Sequence, residues 1–230
     1  MRRIIRNYPF SLAPAMMIIA TAGCVSATPP SESPFAPRIF IDQLTRSQYV
    51  LRSSRGIYPP GLVLTKSAEG FRSQPYNDPA LFCTIGYGHL VQTSQCDDSI
   101  PEPFRKGITE PAAGALLVTD MQLAEAAVQN LSPVTLANGQ YAALCDFVYN
   151  VGARAYENSS LRDAVNDGRT EEVPTELRRW ILAGGKVQPG LKKRRESEIK
   201  LFFDGLPEPR GGRVPLGHEV LIDIQAGEAR

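Results

Sequence analysis

Between Ser67 and His89 the chain changes from helix chemistry to hairpin chemistry, and that change restricts the folds open to it. Gly70 follows Glu69, so a helix carrying Glu69 in its last turn can end there, because glycine readily adopts the left-handed backbone that closes helices. Phe71 to Tyr76 leads to Asn77-Asp78-Pro79, which is turn chemistry. Thr84-Ile85-Gly86-Tyr87-Gly88-His89 is β-prone with small residues. A helix end followed by a hairpin can hold Glu69 on one wall of a cleft and Asp78 and Thr84 on the other.

The rest of the central region reads as helices. Ala112, Leu116, Leu117, Leu123, Ala124, Ala127, Val128 and Leu131 recur at spacings near three and four, an apolar stripe. Thr109 with Pro111 two residues later fits an N-cap and first turn. Tyr141, Leu144, Cys145, Val148 and Val151 form a second stripe, which Gly152 can stop. Leu177, Trp180 and Ile181 make a third. Leu191, Arg195, Ile199, Leu201 and Phe202 belong to a terminal helix begun after Pro189-Gly190. One hairpin with four or five helices gives an α+β fold, mainly helical, with a small β-hairpin lobe and an interlobe cleft suited to a polymer.

Eight residues separate Glu69 from Asp78, and five separate Asp78 from Thr84. Two carboxyl groups and a hydroxyl suffice to hydrolyse a glycosidic bond. One acid protonates the leaving oxygen, and the other carboxylate manages water or the developing positive charge. Spacing alone also fits a surface Glu, a turn Asp and a strand Thr with no chemistry, and by itself favours that plainer account. His89 and His218 are the only histidines, and neither His nor Cys spacing forms a metal site. No cofactor is expected, and His89 reads as a hydrogen-bonded structural residue.

The spacing and its flanks resemble the catalytic stretch of the phage-type lysozymes, glycoside hydrolase family 24, whose pattern is Glu, eight residues, Asp or Cys, five residues, Thr. Gly107-Ile108-Thr109-Glu110 with Asp120, the segment Asn138 to Gly152, Ser159-Ser160-Leu161 with Asn166-Asp167-Gly168, and Arg179 to Glu196 match that family in order. The likeness covers about residues 60–203. It implies a muramidase cleaving the β-1,4 bond between N-acetylmuramic acid and N-acetylglucosamine in peptidoglycan. Glu69 would then be the general acid, needing a raised pKa from an apolar cleft wall, with Asp78 and Thr84 managing water or charge. Asn150, Arg154 and Gly184-Gly185 are candidate groove residues; capping and packing are the expected roles for all but Asn150.

Arg2, Arg3 and Arg6 precede a short apolar run from Ser11 to Gly23, which reads as a targeting segment over residues 1–27. Three outcomes stay open. Thr21-Ala22-Gly23-Cys24 resembles a lipobox that would lipidate Cys24 and anchor the chain, although Thr21 departs from the usual aliphatic residue. Val25-Ser26-Ala27 is a signal-peptidase site, and an uncleaved segment would resemble signal-arrest-release endolysins. Each exports the catalytic region, to the periplasm or to a membrane anchor.

Residues 28–56 begin with a Pro/Ser-rich tether, 57–203 form the catalytic domain, and 204–230 a Pro/Gly-rich tail with no assigned role, in which Leu221 to Ile224 reads as one short strand. In an exported chain Cys83 and Cys96 can close a loop around the hairpin, with reduced thiols as the alternative. Cys145 reads as a buried thiol. The composition, 43% hydrophobic and 21% charged with a formal net charge of +1, gives no basis for nucleic-acid binding. A monomer acting on glycan strands is expected. Lys192, Lys193, Arg194 and Arg195 read as a solvated helix face, with Arg194 paired to Glu198 at i,i+4.

Overall fold

Gly70, with φ 72°, ends helix α1 (Pro59–Glu69) and leaves Glu69 as its last residue. The structure, a computed structural model, describes residues 55–78, 81–209 and 220–228. All of these lie in one unit, Pro34–Arg230. The targeting segment and Cys24 lie outside the described residues, as does most of the tether. Pro59 and Pro60 open α1, where the missing N–H groups would have no helical partner anyway. A Cβ on Gly61 would come within 2.9 Å of the Ala142 methyl group, so the glycine is what lets α1 lie close against the central helix.

Three antiparallel strands follow, β1 (Arg72–Asn77), β2 (Cys83–Gly86) and β3 (His89–Gln92), in the order β1-β2-β3. Tyr76 pairs with Thr84 and Ile85 with His89. The third strand was absent from the hairpin expected from sequence. Its two turn glycines and four-residue length leave too little alternation to read. The short helix α2 (Glu102–Arg105) brings Phe104 over this sheet, where Cys83, Ile85, Ile100, Phe104 and Leu116 form a small separate core.

Helix α3 (Glu110–Leu131) links that core to the main one. Thr109 caps it by accepting from Ala112 N at 3.4 Å. Its 22 residues span roughly 33 Å. Leu116 meets the small core, while Leu117, Met121, Ala124, Ala127 and Val128 enter the large one. Helix α4 (Asn138–Val151) is buried on nearly all sides, as expected of a helix that is apolar all round. Gly152, at φ 87°, ends it. Around it pack α5 (Ala153–Glu157), α6 (Ser160–Asn166), α7 (Val173–Arg178) and α8 (Pro189–Phe202). Trp180 meets Phe147 edge-on at 5.2 Å in the middle of this core.

Between α7 and α8 the strands β4 (Leu182–Ala183) and β5 (Lys186–Val187) form a tight hairpin. Gly184 and Gly185 both have positive φ, which such two-residue turns require. Residues 220–228 return to this hairpin. Leu182 N donates to Ile222 O at 3.2 Å, and Ile224 N to Leu182 O at 2.9 Å. Ile222 is buried, and Glu228 pairs with Arg179 at 2.8 Å. The described end of the tail is therefore packed on the helical region. Its β pairing is one isolated parallel bridge, Leu182 with Asp223, rather than the short strand expected from sequence.

Candidate active site

Glu69 projects from the end of α1 with its side chain 26% exposed. Its Oε1 accepts from Arg194 Nη1 of α8 at 2.6 Å. Its Oε2 lies toward Gly88, in the turn between β2 and β3, where an added Cβ would sit 3.9 Å away. The wall beside Glu69 is thus not the apolar one expected from sequence; it carries a buried guanidinium. Burial works against that cation, but the carboxylates of Asp146, Glu69 and Glu198 outweigh it and raise the Arg194 pKa.

Arg194 is itself fixed from behind. Its Nε donates to Asp146 Oδ2 at 2.9 Å, and its Nη2 to Asp146 Oδ1 at 3.0 Å, a forked pairing. Asp146, from α4, is fully buried and also accepts from the Thr65 hydroxyl of α1 at 2.7 Å. The next residue of α8, Arg195, donates to both oxygens of buried Glu198 at 2.5 and 2.7 Å and to Trp180 O at 3.0 Å. Arg195 also bonds Asn150 Oδ1 and lies over the Phe147 ring at 4.8 Å. The solvated basic face expected from Lys192 to Arg195 is half correct. Lys192 and Lys193 are exposed, but Arg194 and Arg195 point inward, because the buried Asp146 and Glu198 carboxyls accept their N–H groups there. Arg194 to Glu198 is the long contact, at 3.8 Å.

Asp78 and Thr84 sit on the β1–β2 hairpin. Asp78 is half-buried, and its Oδ1 accepts from Phe82 N at 2.8 Å, so the carboxylate is oriented by its own turn. Leu81 N donates to Asp78 O at 2.9 Å, and Leu81 takes φ 66°, a backbone that leucine adopts only under constraint. Thr84 is 4% exposed and donates to Tyr76 O at 3.3 Å. Cys83 and Cys96 are joined in a disulfide beside it. Cys145 is free and buried, and burial pushes its thiol pKa well up.

The sheet is tied to the helices by polar contacts. His89 Nδ1 meets Asp120 of α3 at 2.9 Å, a structural role. Tyr87 donates to Glu110 at 2.8 Å, and Tyr149 donates to Tyr87 O at 3.3 Å. Burial, with the Asp120 and Glu69 carboxylates, raises the Tyr149 phenol. Asp120, Tyr149 and Arg154 line a cavity of about 330 Å³, so Arg154 reaches a concave surface. Asn150 is instead engaged by Arg195 as a packing partner. A larger cavity of about 680 Å³ between α1 and α8 includes neither Asp78 nor Thr84 in its lining. Asp146 and Thr65 were missed by reading the sequence. A signal was present: Asp146 stands between Cys145 and Phe147 inside an apolar stripe, where a charge demands a partner.

A glutamate at a helix end, facing a small antiparallel sheet beside a mainly helical core, defines the lysozyme-like α+β architecture. The muramidase domain of SpmX from Asticaccaulis excentricus has this fold, with a TM-score of 0.56 and 33% identity over 64% of this chain and 96% of that one. An endolysin of Bacillus phage PZA is 37% identical over 64% of this chain, which spans 55% of that relative's length. A SAR-endolysin of bacteriophage PS119 is 36% identical over 56% of this chain and 73% of its own. The phage lysozyme family matches residues 66–198, more than half of the 230-residue sequence, and the chain belongs to that family.

Proposed function

We propose that the protein is an exported muramidase that hydrolyses the β-1,4 bond between N-acetylmuramic acid and N-acetylglucosamine in peptidoglycan. The observation that carries this is the placement of Glu69 at the end of α1, toward the β2–β3 turn, with Asp78 and Thr84 on the adjoining hairpin of the same sheet. The muramidase and endolysin relatives support it. Glu69 donates a proton to the glycosidic oxygen. Asp78, aimed by Phe82 N, holds a water on the far face of the sugar or stabilises the oxocarbenium-like charge. Thr84 spends its hydrogen on Tyr76 O, so toward a water its hydroxyl acts as an acceptor.

The disulfide supports a site of action outside the cytoplasm. The SAR-endolysin relative does so too. Among the described residues no helix is long and apolar enough to cross a membrane. Fatty-acid labelling of the wild type and Cys24→Ala separates lipidation from the other two N-terminal outcomes.

Mass spectrometry of digested peptidoglycan tests the reaction class. Reducing N-acetylmuramic acid ends are expected, and 1,6-anhydro ends would reassign the chain as a lytic transglycosylase. If Asp78 directs water from the face opposite Glu69, the initial product anomer is inverted.

A further inference from the structure

We infer that Asp146 is a positioning residue for the acid: it locks Arg194 in place and offsets its charge, so that Glu69 is held by the guanidinium yet can still take up a proton. This rests on Glu69 being the general acid. The geometry is a relay across three helices. Thr65 of α1 fixes Asp146 of α4, Asp146 takes one edge of the Arg194 guanidinium of α8 through Nε and Nη2, and Nη1 is left for Glu69. The division of partners is clear from the contacts. Glu198 gives both oxygens to Arg195, so Asp146 is the buried carboxyl that forks onto Arg194.

The arrangement answers a conflict in the chemistry. A cation beside a general acid fixes its orientation but opposes protonation, whereas an acid catalyst must carry its proton. A carboxylate on the opposite edge of the same guanidinium keeps the orienting hydrogen bond and reduces the net field. The groups surrounding this unit are accounted for. Glu198 and Arg195 are on α8, and Tyr149, raised by burial, is on α4. Lys66, on α1 itself, lies 5.6 Å from the Tyr87 ring in the β2–β3 turn. Tyr87 donates to Glu110, and Asp120 is paired with His89. Of these only Glu198 approaches the Arg194 edge that Asp146 takes, at 3.8 Å from Nε and beyond hydrogen-bond reach, and Glu198 also hydrogen-bonds Asp146 itself.

The test is the pH profile of kcat/KM of the full chain on soluble glycan strands, whose alkaline limb reports the essential acid. Asp146→Asn keeps the shape and removes the charge. Its alkaline limb is expected to move down by about one pH unit, with roughly tenfold lower kcat at neutral pH and KM unchanged. The Asp146→Asn/Arg194→Gln double variant leaves neither charge buried alone, and its limb is expected at or above the wild-type position. If Asp146→Asn does not fold, as judged by circular dichroism, the double variant is compared with Arg194→Gln alone: the Asp146 charge is expected to hold the limb higher in the single variant, and coincident limbs overturn the proposal. A limb that stays put in folded Asp146→Asn, or that falls in the double variant, overturns the proposal. Glu69→Gln run in parallel keeps the two ideas apart. Residual activity there removes the acid assignment itself, whereas an inactive Glu69→Gln with an unmoved Asp146→Asn limb removes only the role of Asp146.

Discussion

The two sides of the candidate site are held by different means. On the helical side Glu69 is fixed by side chains: a guanidinium, a buried carboxylate and a hydroxyl drawn from α1, α4 and α8. On the sheet side Asp78 and Thr84 are fixed by backbone: a turn amide, a strand carbonyl, a left-handed Leu81 and a neighbouring disulfide. The helical side rests on the large core, the sheet side on a small core of five buried residues. A buried ion network is sensitive to the loss of any one member, because the partner is left charged and dry. A turn closed by backbone hydrogen bonds tolerates side-chain change but depends on its closure. Substitutions on the two sides should therefore fail differently, one in chemistry and folding together, the other in local order.

The largest effect is expected from Glu69→Gln. An amide cannot donate the proton, and general acid catalysis contributes about 10²–10⁴-fold, so lysis should drop to that extent with circular dichroism unchanged. Asp78→Asn should also be severely impaired, and Thr84→Ala less so. Near-wild-type clearing of wall suspensions by folded Glu69→Gln would end the distinction between the two sides as catalytic partners.

Next comes Arg194→Ala. It leaves Asp146 buried without its cation and should cost about 3–5 kcal/mol in urea unfolding. The exposed pair of Arg178 with Glu196, at 2.8 Å, is the internal control. Arg178→Ala should cost about 0–1 kcal/mol. Equal losses at the two arginines would show that burial of the network is not what makes it important.

Replacing both Cys83 and Cys96 by Ser should cost about 3 kcal/mol by loop-closure arithmetic. The loss should be local. Hydrogen exchange is expected to quicken in β1, β2 and β3 before it does in α4 or α8. Uniform acceleration across the chain would mean that the small core and the large core unfold as one.

A further effect concerns pH. Burial, against the pull of Arg195, pushes the Glu198 carboxyl from 4.5 up to about 8. The folded chain then holds a proton that the unfolded chain has released between those values. Glu198 thus contributes stability that is full below about pH 4.5 and is lost as pH rises through about 8. Glu198→Gln should flatten the fall of urea-unfolding stability across that window. An unchanged slope would place the titration elsewhere in the network.

Reading the chain recovered features governed by neighbours in sequence. Gly70 and Gly152 end their helices with positive φ, Thr109 caps α3, and the stripe from Tyr141 to Val148 is buried. Such features follow from local backbone limits and from periodicity, which any segment carries with it. Features that depend on what lies opposite were not legible in that way. Arg194 and Arg195 look solvated until α4 supplies Asp146 and α8 folds Glu198 beneath them. The tail gave no period, yet residues 220–228 dock because Leu182 offers an unpaired strand edge and Arg179 a cation for Glu228.

The sequence by itself determined the order of the long helices around one hairpin and the spacing of Glu69, Asp78 and Thr84 along that helix end and hairpin. Only the tertiary structure decided that Glu69 faces a guanidinium rather than an apolar wall. The reason is physical. A hydrogen bond between residues 125 positions apart, such as Arg194 to Glu69, depends on how α1 and α8 pack against α4, and no local propensity encodes that packing.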